Sequence, residues 1–187
     1  TVVFWQDDFP FYDTQPVPRP MLEAALTRPQ FASLQKLDEA LADDDTTLFV
    51  LPYGSSFPCD GWLAIYGYLK RGGNLLTLGG SPFEVPTYSG RTGFVTGRPA
   101  VAFQKQLRIN QSWPLDSRNL RLRPANPSLA SIGGGWRVER CWSLMVRLSD
   151  EDHYDRLGSM GVADGELEPL LQAVSSDGRV LAAPAVL

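Results

Sequence analysis

The sequence predicts an α/β fold: a three-layer sandwich on a mostly parallel, flavodoxin-like or Rossmann-like sheet, with antiparallel edge strands towards the carboxyl terminus. Three observations predict it. Leu48-Phe49-Val50-Leu51 and Leu75-Leu76-Thr77-Leu78 are short, nearly all-apolar runs, as strands buried on both faces require. Between them, Trp62, Ile65, Tyr66 and Leu69 fall three and four apart, the spacing of a helix with one apolar side. A strand–helix–strand of this kind implies a parallel pair joined by a right-handed crossover.

Taken in order, Val2-Val3-Phe4-Trp5 is the first strand, rich in β-branched and aromatic residues, and Gln6-Asp7-Asp8-Phe9-Pro10 follows at its carboxyl end. Pro16-Val17-Pro18-Arg19-Pro20 is a stiff connector into a helix at Met21 to Leu26, which Pro29 ends. Phe31 to Leu34 is a short second strand. Gln35 to Ala42 is helical, with Leu34, Leu37 and Leu41 on one side, and Asp43-Asp44-Asp45 turns the chain into the central unit. There Asp60 is placed to cap the helix, Lys70 and Arg71 suit its negative end, and Gly72-Gly73 stop it. Past Pro86 the rhythm changes. Thr87 to Pro99 reads as loop, Val101 to Ile109 as a strand or hairpin arm, and Asn110 to Gly135 as irregular with a short helix near Ser128 to Ile132. Trp142 to Leu148 is a strand, Leu167 to Val174 is ambiguous, and Asp177-Gly178 turns into a strand at Arg179 to Ala182. The expectation is one domain, with a parallel core over 1–86 and an irregular segment plus closing edge strands over 87–187, cut from a longer polypeptide because the first residue is Thr rather than Met and the last residues stop in mid-pattern.

Composition narrows the function. With 187 residues, 43% hydrophobic and 20% charged, the chain suits an ordinary globular domain. A net charge of −4 argues against nucleic acid and acidic membrane surfaces, and no apolar run approaches the ~20 residues that span a bilayer. Cys59 and Cys141 read as free thiols. One histidine and no clustered Cys or His exclude the common zinc sites, so no metal is expected. No cofactor is expected either: a phosphate site after the first strand wants a small-residue turn, and Asp7-Asp8 repel phosphate there.

Leu51-Pro52-Tyr53-Gly54-Ser55-Ser56-Phe57-Pro58, Gly72-Gly73-Asn74-Leu75-Leu76 and Gly79-Gly80-Ser81-Pro82-Phe83 resemble the class I glutamine amidotransferase-like domains. More narrowly, they are similar to the degenerate versions attached to bacterial glycoside hydrolases such as some β-galactosidases. Gly158-Ser159-Met160-Gly161, Leu167-Glu168-Pro169-Leu170 and Asp177-Gly178-Arg179 resemble the end of such a module. The resemblance implies a non-catalytic accessory domain beside a glycoside hydrolase catalytic domain, serving packing, oligomer assembly or shaping of the sugar cleft. Active relatives carry a nucleophilic cysteine on the elbow and a late His-x-Glu pair. Here the elbow residue is Ser81, and Pro82 after it has no N–H for an oxyanion hole, a loss worth about 100- to 1,000-fold in rate.

Alternatives stay open on the residues themselves. A hydrolase would pair Ser81, or Cys59 at the start of a helix where the dipole lowers its pKa, with His153 as base. The commoner reading makes His153, in Ser149-Asp150-Glu151-Asp152-His153-Tyr154-Asp155, a surface histidine, and Cys59 a small apolar filler. Asp7, Asp8 and Glu84 are candidates for a glycosidase carboxylate pair, though loop acids are usually just solvated. The carboxyl edge of the sheet gathers Trp5, Asp7, Asp8, Tyr53, Ser55, Phe57, Ser81, Phe83 and Glu84. Aromatic faces beside carboxylates suit carbohydrate there; the plainer reading is packing under the Pro-rich loops.

Overall fold

A computed structural model describes residues 1–115, 120–132, 136–137, 141–146, 170–182 and 185–186. The chain divides into two compact units, Thr1–Ala100 and Val101–Leu187. The sequence reading put one domain there, with its change of rhythm at Pro86.

In the first unit, β1 (Val2–Phe4), β2 (Gln30–Ala32), β3 (Leu48–Leu51) and β5 (Asn74–Thr77) form a parallel sheet in the order β2-β1-β3-β5. That is the expected α/β arrangement. The chain steps one way from β1 to β2 and the other way to β3 and β5. Right-handed crossovers therefore put α1 (Arg19–Ala25) on one face, and α2 (Leu34–Ala42) and α3 (Trp62–Lys70) on the other. Leu22 of α1 packs with Val3 and Val50, while Leu37, Leu41 and Ile65 bury the apolar sides of α2 and α3. Pro20 falls in the first turn of α1, where its missing N–H costs nothing.

Local details depart from expectation. Asp60 does not cap α3: a 3₁₀ turn, Cys59–Gly61, precedes that helix, and the Asp60 carboxylate accepts the Ser89 N–H at 2.7 Å. The stretch expected as loop after Pro86 is a hairpin. β6 (Val85–Gly90) and β7 (Gly93–Thr96) pair antiparallel around Arg91-Thr92, and β4 (Ser56–Pro58) adds to β6 in parallel. Gly93 takes φ +137°, a conformation the tight turn needs and a side chain would resist.

The second unit begins with α4 (Ala102–Gln106), where a strand or hairpin arm was expected. The residues that then read as irregular contain β8 (Ile109–Pro114) and β9 (Arg121–Pro124), followed by a 3₁₀ turn at Pro127–Ile132 where a short helix was expected. With β10 (Trp136–Arg137), β11 (Trp142–Val146), β12 (Leu171–Val174), β13 (Val180–Ala182) and β14 (Ala185–Val186), they build two antiparallel sheets. Their orders are β10-β9-β12-β13 and β14-β11-β8. The closing strands are antiparallel as expected, but they do not extend an edge of the parallel sheet: β12 and β13 pair beside β9 in a sheet of the second unit. Gly178, at φ +83°, makes the turn between them. Leu120, Leu122, Cys141 and Ala173 form this unit's buried cluster.

Candidate functional site

In a sheet of order β2-β1-β3-β5, the connection reverses between β1 and β3, and a ligand crevice is expected outside their carboxyl ends. The segments that meet there are Gln6–Asp8 after β1, Tyr53–Ser55 after β3, and Gly79–Glu84 after β5. In this protein the crevice is filled by the chain itself.

Tyr53 fills its centre and is 1% exposed. Its hydroxyl accepts the Gln6 N–H at 2.9 Å and donates to the Gln6 carbonyl at 3.0 Å. Those are the backbone groups at the end of β1 that a ligand would otherwise use. Phe4, Phe9 and Phe11 surround the ring at centroid distances of 5.5, 4.8 and 4.5 Å. Burial, opposed by the hydrogen bond to Gln6 and helped by the charges of Asp7 and Asp8, pushes the phenol up to about 12.

A second layer closes the mouth. Tyr12 bridges Gly54 in parallel: its N–H donates to the Tyr53 carbonyl at 3.2 Å, and its carbonyl accepts the Ser55 N–H at 3.0 Å. Gly54, at φ +68°, allows this approach, since a Cβ there would lie 2.1 Å from the Tyr12 carbonyl oxygen. Ser55 joins three segments. Its hydroxyl donates to Asp13 at 3.3 Å and accepts the Ser81 N–H at 2.8 Å, and its carbonyl accepts the Val85 N–H at 2.9 Å.

The Gly79–Phe83 turn is not a nucleophile elbow. Gly79, Gly80 and Phe83 have φ of 76°, 61° and 57°, and the chain passes into strand β6 rather than into a helix. The strand–turn–helix context that lifts a nucleophile above a sheet is therefore missing. Ser81 is fully buried, and its own amide is spent on Ser55.

The residues anticipated at this edge separate by exposure. Tyr53, Ser55, Phe57, Ser81 and Phe83 are buried, and Trp5 and Glu84 are half-buried. Asp7 and Asp8 are exposed, Asp7 accepting the Trp5 indole N–H at 2.9 Å and Asp8 the Gln6 side-chain amide at 3.4 Å. Phe83 packs tilted against Phe57 and edge-on to Trp62 rather than facing solvent. The structure thus brings Tyr53 to Trp5 and Ser55 to Ser81, in packing and hydrogen bonds.

Cys59 is a correction. A helix start was expected to lower its pKa, but the thiol is pushed up: burial dominates, the Tyr88 hydroxyl's hydrogen bond opposes, and the Asp60 charge adds to the rise. With the 3₁₀ turn in front of α3 and a carboxylate next door, the dipole is outweighed. His153 lies outside the described residues.

Sequence reasoning missed Phe9, Phe11, Tyr12 and Asp13 as the filling of the crevice. The available signal was Phe9 directly before Pro10, and Phe11, Tyr12 and Asp13 between Pro10 and Pro16. It also missed a cleft of about 410 Å³ at the opposite, amino-terminal edge, lined among others by Asp43, Asp44, Thr47, Tyr68, Arg71 and Asn74. Arg71 there donates to the Leu41 carbonyl at 2.8 Å, which closes the end of α2. Among the described residues no group of three or more His, Cys, Asp or Glu is placed to hold a metal, and no helix is long and apolar enough to cross a membrane.

No family model, curated protein or solved structure matches this chain.

Proposed function

We propose that this chain is a non-catalytic accessory module of a glycoside hydrolase, contributing packing, oligomer assembly or the shape of a sugar cleft. The observation that carries the non-catalytic part is Tyr53. Its phenol holds both backbone groups of Gln6, so the position where α/β sheets of this order bind ligands is occupied from within. The buried Ser81, its amide on Ser55 and Pro82 behind it, supports the same reading, because neither an exposed nucleophile nor the following N–H is on offer. The link to a glycoside hydrolase rests on the sequence resemblance alone.

The test has two arms. The chain is assayed against p-nitrophenyl esters, anilides and a panel of p-nitrophenyl glycosides, and no turnover above buffer is expected. Turnover abolished by Ser81→Ala, Cys59→Ala or His153→Ala would establish the hydrolase alternative instead. Sequencing the parent reading frame should reveal a glycosidase catalytic domain; a frame without one ends the assignment to carbohydrate metabolism.

A further inference from the structure

We propose that the outer face of α3 is the two-fold interface of a homodimer, in which the helix packs antiparallel against the same helix of a second copy of this chain. The two helices on this side of the sheet differ in what they show to solvent. α2 exposes Gln35, Lys36, Asp38 and Glu39, the polar face of an ordinary surface helix. α3 buries Trp62, Ile65 and Tyr68, and its opposite side carries Leu63, which is 83% exposed, with Gly67 one turn on. A helix that is apolar round most of its circumference is one that is covered on more than one side.

The pattern along that face is self-complementary, which selects a second copy as the occupant. Leu63, Gly67 and Lys70 follow one another at the four- and three-residue steps of one helix face. Asp60 precedes Leu63 by three, in the 3₁₀ turn that leads into the helix. Leu63 and Gly67 lie equally far in sequence from position 65, and so do Asp60 and Lys70, both of them exposed. A two-fold axis through that point therefore sets each Leu63 on the Gly67 of the other copy, and each Asp60 beside the other's Lys70. An apolar side chain meets a gap, a carboxylate meets an ammonium, and the positive end of one helix dipole meets the negative end of the other.

Gly67 is the residue whose identity a single copy does not explain. Glycine inside a helix is less stable than alanine. A Cβ at this position would have Arg71 Nη1 as its neighbour at 3.6 Å, an ordinary contact, so one copy has room for alanine. A Leu63 arriving from a second copy uses the gap that glycine leaves. Tyr88, 42% exposed and hydrogen-bonded through its hydroxyl to the Cys59 thiol, widens the contact at each end of the pair. With α3 only about 13 Å long, the contact is smaller than a standard interface and the dimer is a weak one. This inference deepens the oligomer-assembly role proposed above and rests on that reading, not on the glycoside hydrolase assignment, which the parent reading frame tests separately.

Sedimentation equilibrium with the whole chain tests it, from about 5 µM to about 1 mM protein. The expected result is a reversible monomer–dimer equilibrium within that range. Leu63→Glu should raise its dissociation constant at least tenfold, and Lys70→Glu at least threefold by setting two carboxylates together. Gly67→Ala should raise it at least threefold while the urea midpoint of the monomer stays level or rises, a combination that a purely internal role for Gly67 would not give. Should Leu63→Glu fail to fold, the other two variants decide. A monomer at every concentration, a trimer, an undiminished dimer in folded Leu63→Glu, or equal association by Gly67→Ala or by Lys70→Glu would each overturn the proposal. A monomeric chain whose parent frame encodes a glycosidase domain would sink the dimer alone, and a dimer whose frame lacks one would sink the hydrolase assignment alone.

Discussion

Replacing Tyr53 by Phe removes one oxygen atom and with it both ends of the link to Gln6. The ring stays, so the packing against Phe4, Phe9 and Phe11 is retained and the change isolates the phenol. Two hydrogen bonds of 2.9 and 3.0 Å are lost, each worth roughly 0.5–1.5 kcal/mol net. Gln6 is half-buried, so water reaches its freed N–H and C=O only in part, and the sum lands near 2 kcal/mol. Urea denaturation at pH 8, followed by tryptophan fluorescence, measures it. A change below about 0.5 kcal/mol would refute the idea that the phenol fastens the end of β1, since that is the floor for a single such bond. The pH dependence supplies a second reading. The folded phenol titrates at about 12 and an unfolded tyrosine near 10, so between these values the folded state binds more protons. The contribution is complete below pH 10 and is lost as pH rises towards 12, by about 3 kcal/mol over the two units. The Phe variant should lack this part of the alkaline loss; an identical slope in both proteins would show that another group is responsible.

Gly80→Ala should be severe. The new Cβ would sit 2.5 Å from the Ser55 nitrogen and 2.6 Å from its hydroxyl, at a backbone φ of +61°, so a loss above about 2 kcal/mol, or failure to fold, is expected in the same urea assay. A neutral result would mean that the turn after β5 is not pinned to Ser55. Cys59 should react slowly with iodoacetamide at pH 7, because its thiol is held above its ordinary value. Tyr88→Phe removes the hydrogen bond that lowers it, so the alkylation midpoint should move to higher pH; a move to lower pH would contradict the role given to Tyr88.

Gly67 illustrates how local signals can look stronger than they are: it sits inside α3, yet the helix runs on to Lys70 because Trp62, Ile65 and Tyr68 bury its inner face. Asp60 shows the reverse. A helix cap was a sound local reading, but a Ser89 amide brought up by the β6–β7 hairpin competes for the carboxylate. The hairpin itself was hidden because Gly90, Gly93 and Gly97 suggested a loop. It forms where Tyr88 pairs with Val95 and Ser89 with Phe94, and Phe94 then finds Phe9 at 5.0 Å.

The parallel core was legible because it rests on short-range physics. A four-residue apolar run between turn signals reads as a strand, and a crossover between two such strands has one hand. Of these two only β3 is covered on both faces, since β5 lies at the sheet edge and leaves Leu76 38% exposed where burial was expected. The crevice was not legible, because its decisive bond joins Tyr53 to a residue 47 positions away. Periodicity records which way a side chain points relative to its neighbours, never which distant backbone group it will meet. Only the folded chain, with β1 and β3 side by side and residues 9–13 laid across their ends, turns Tyr53 from a candidate ligand contact into the plug of its own site.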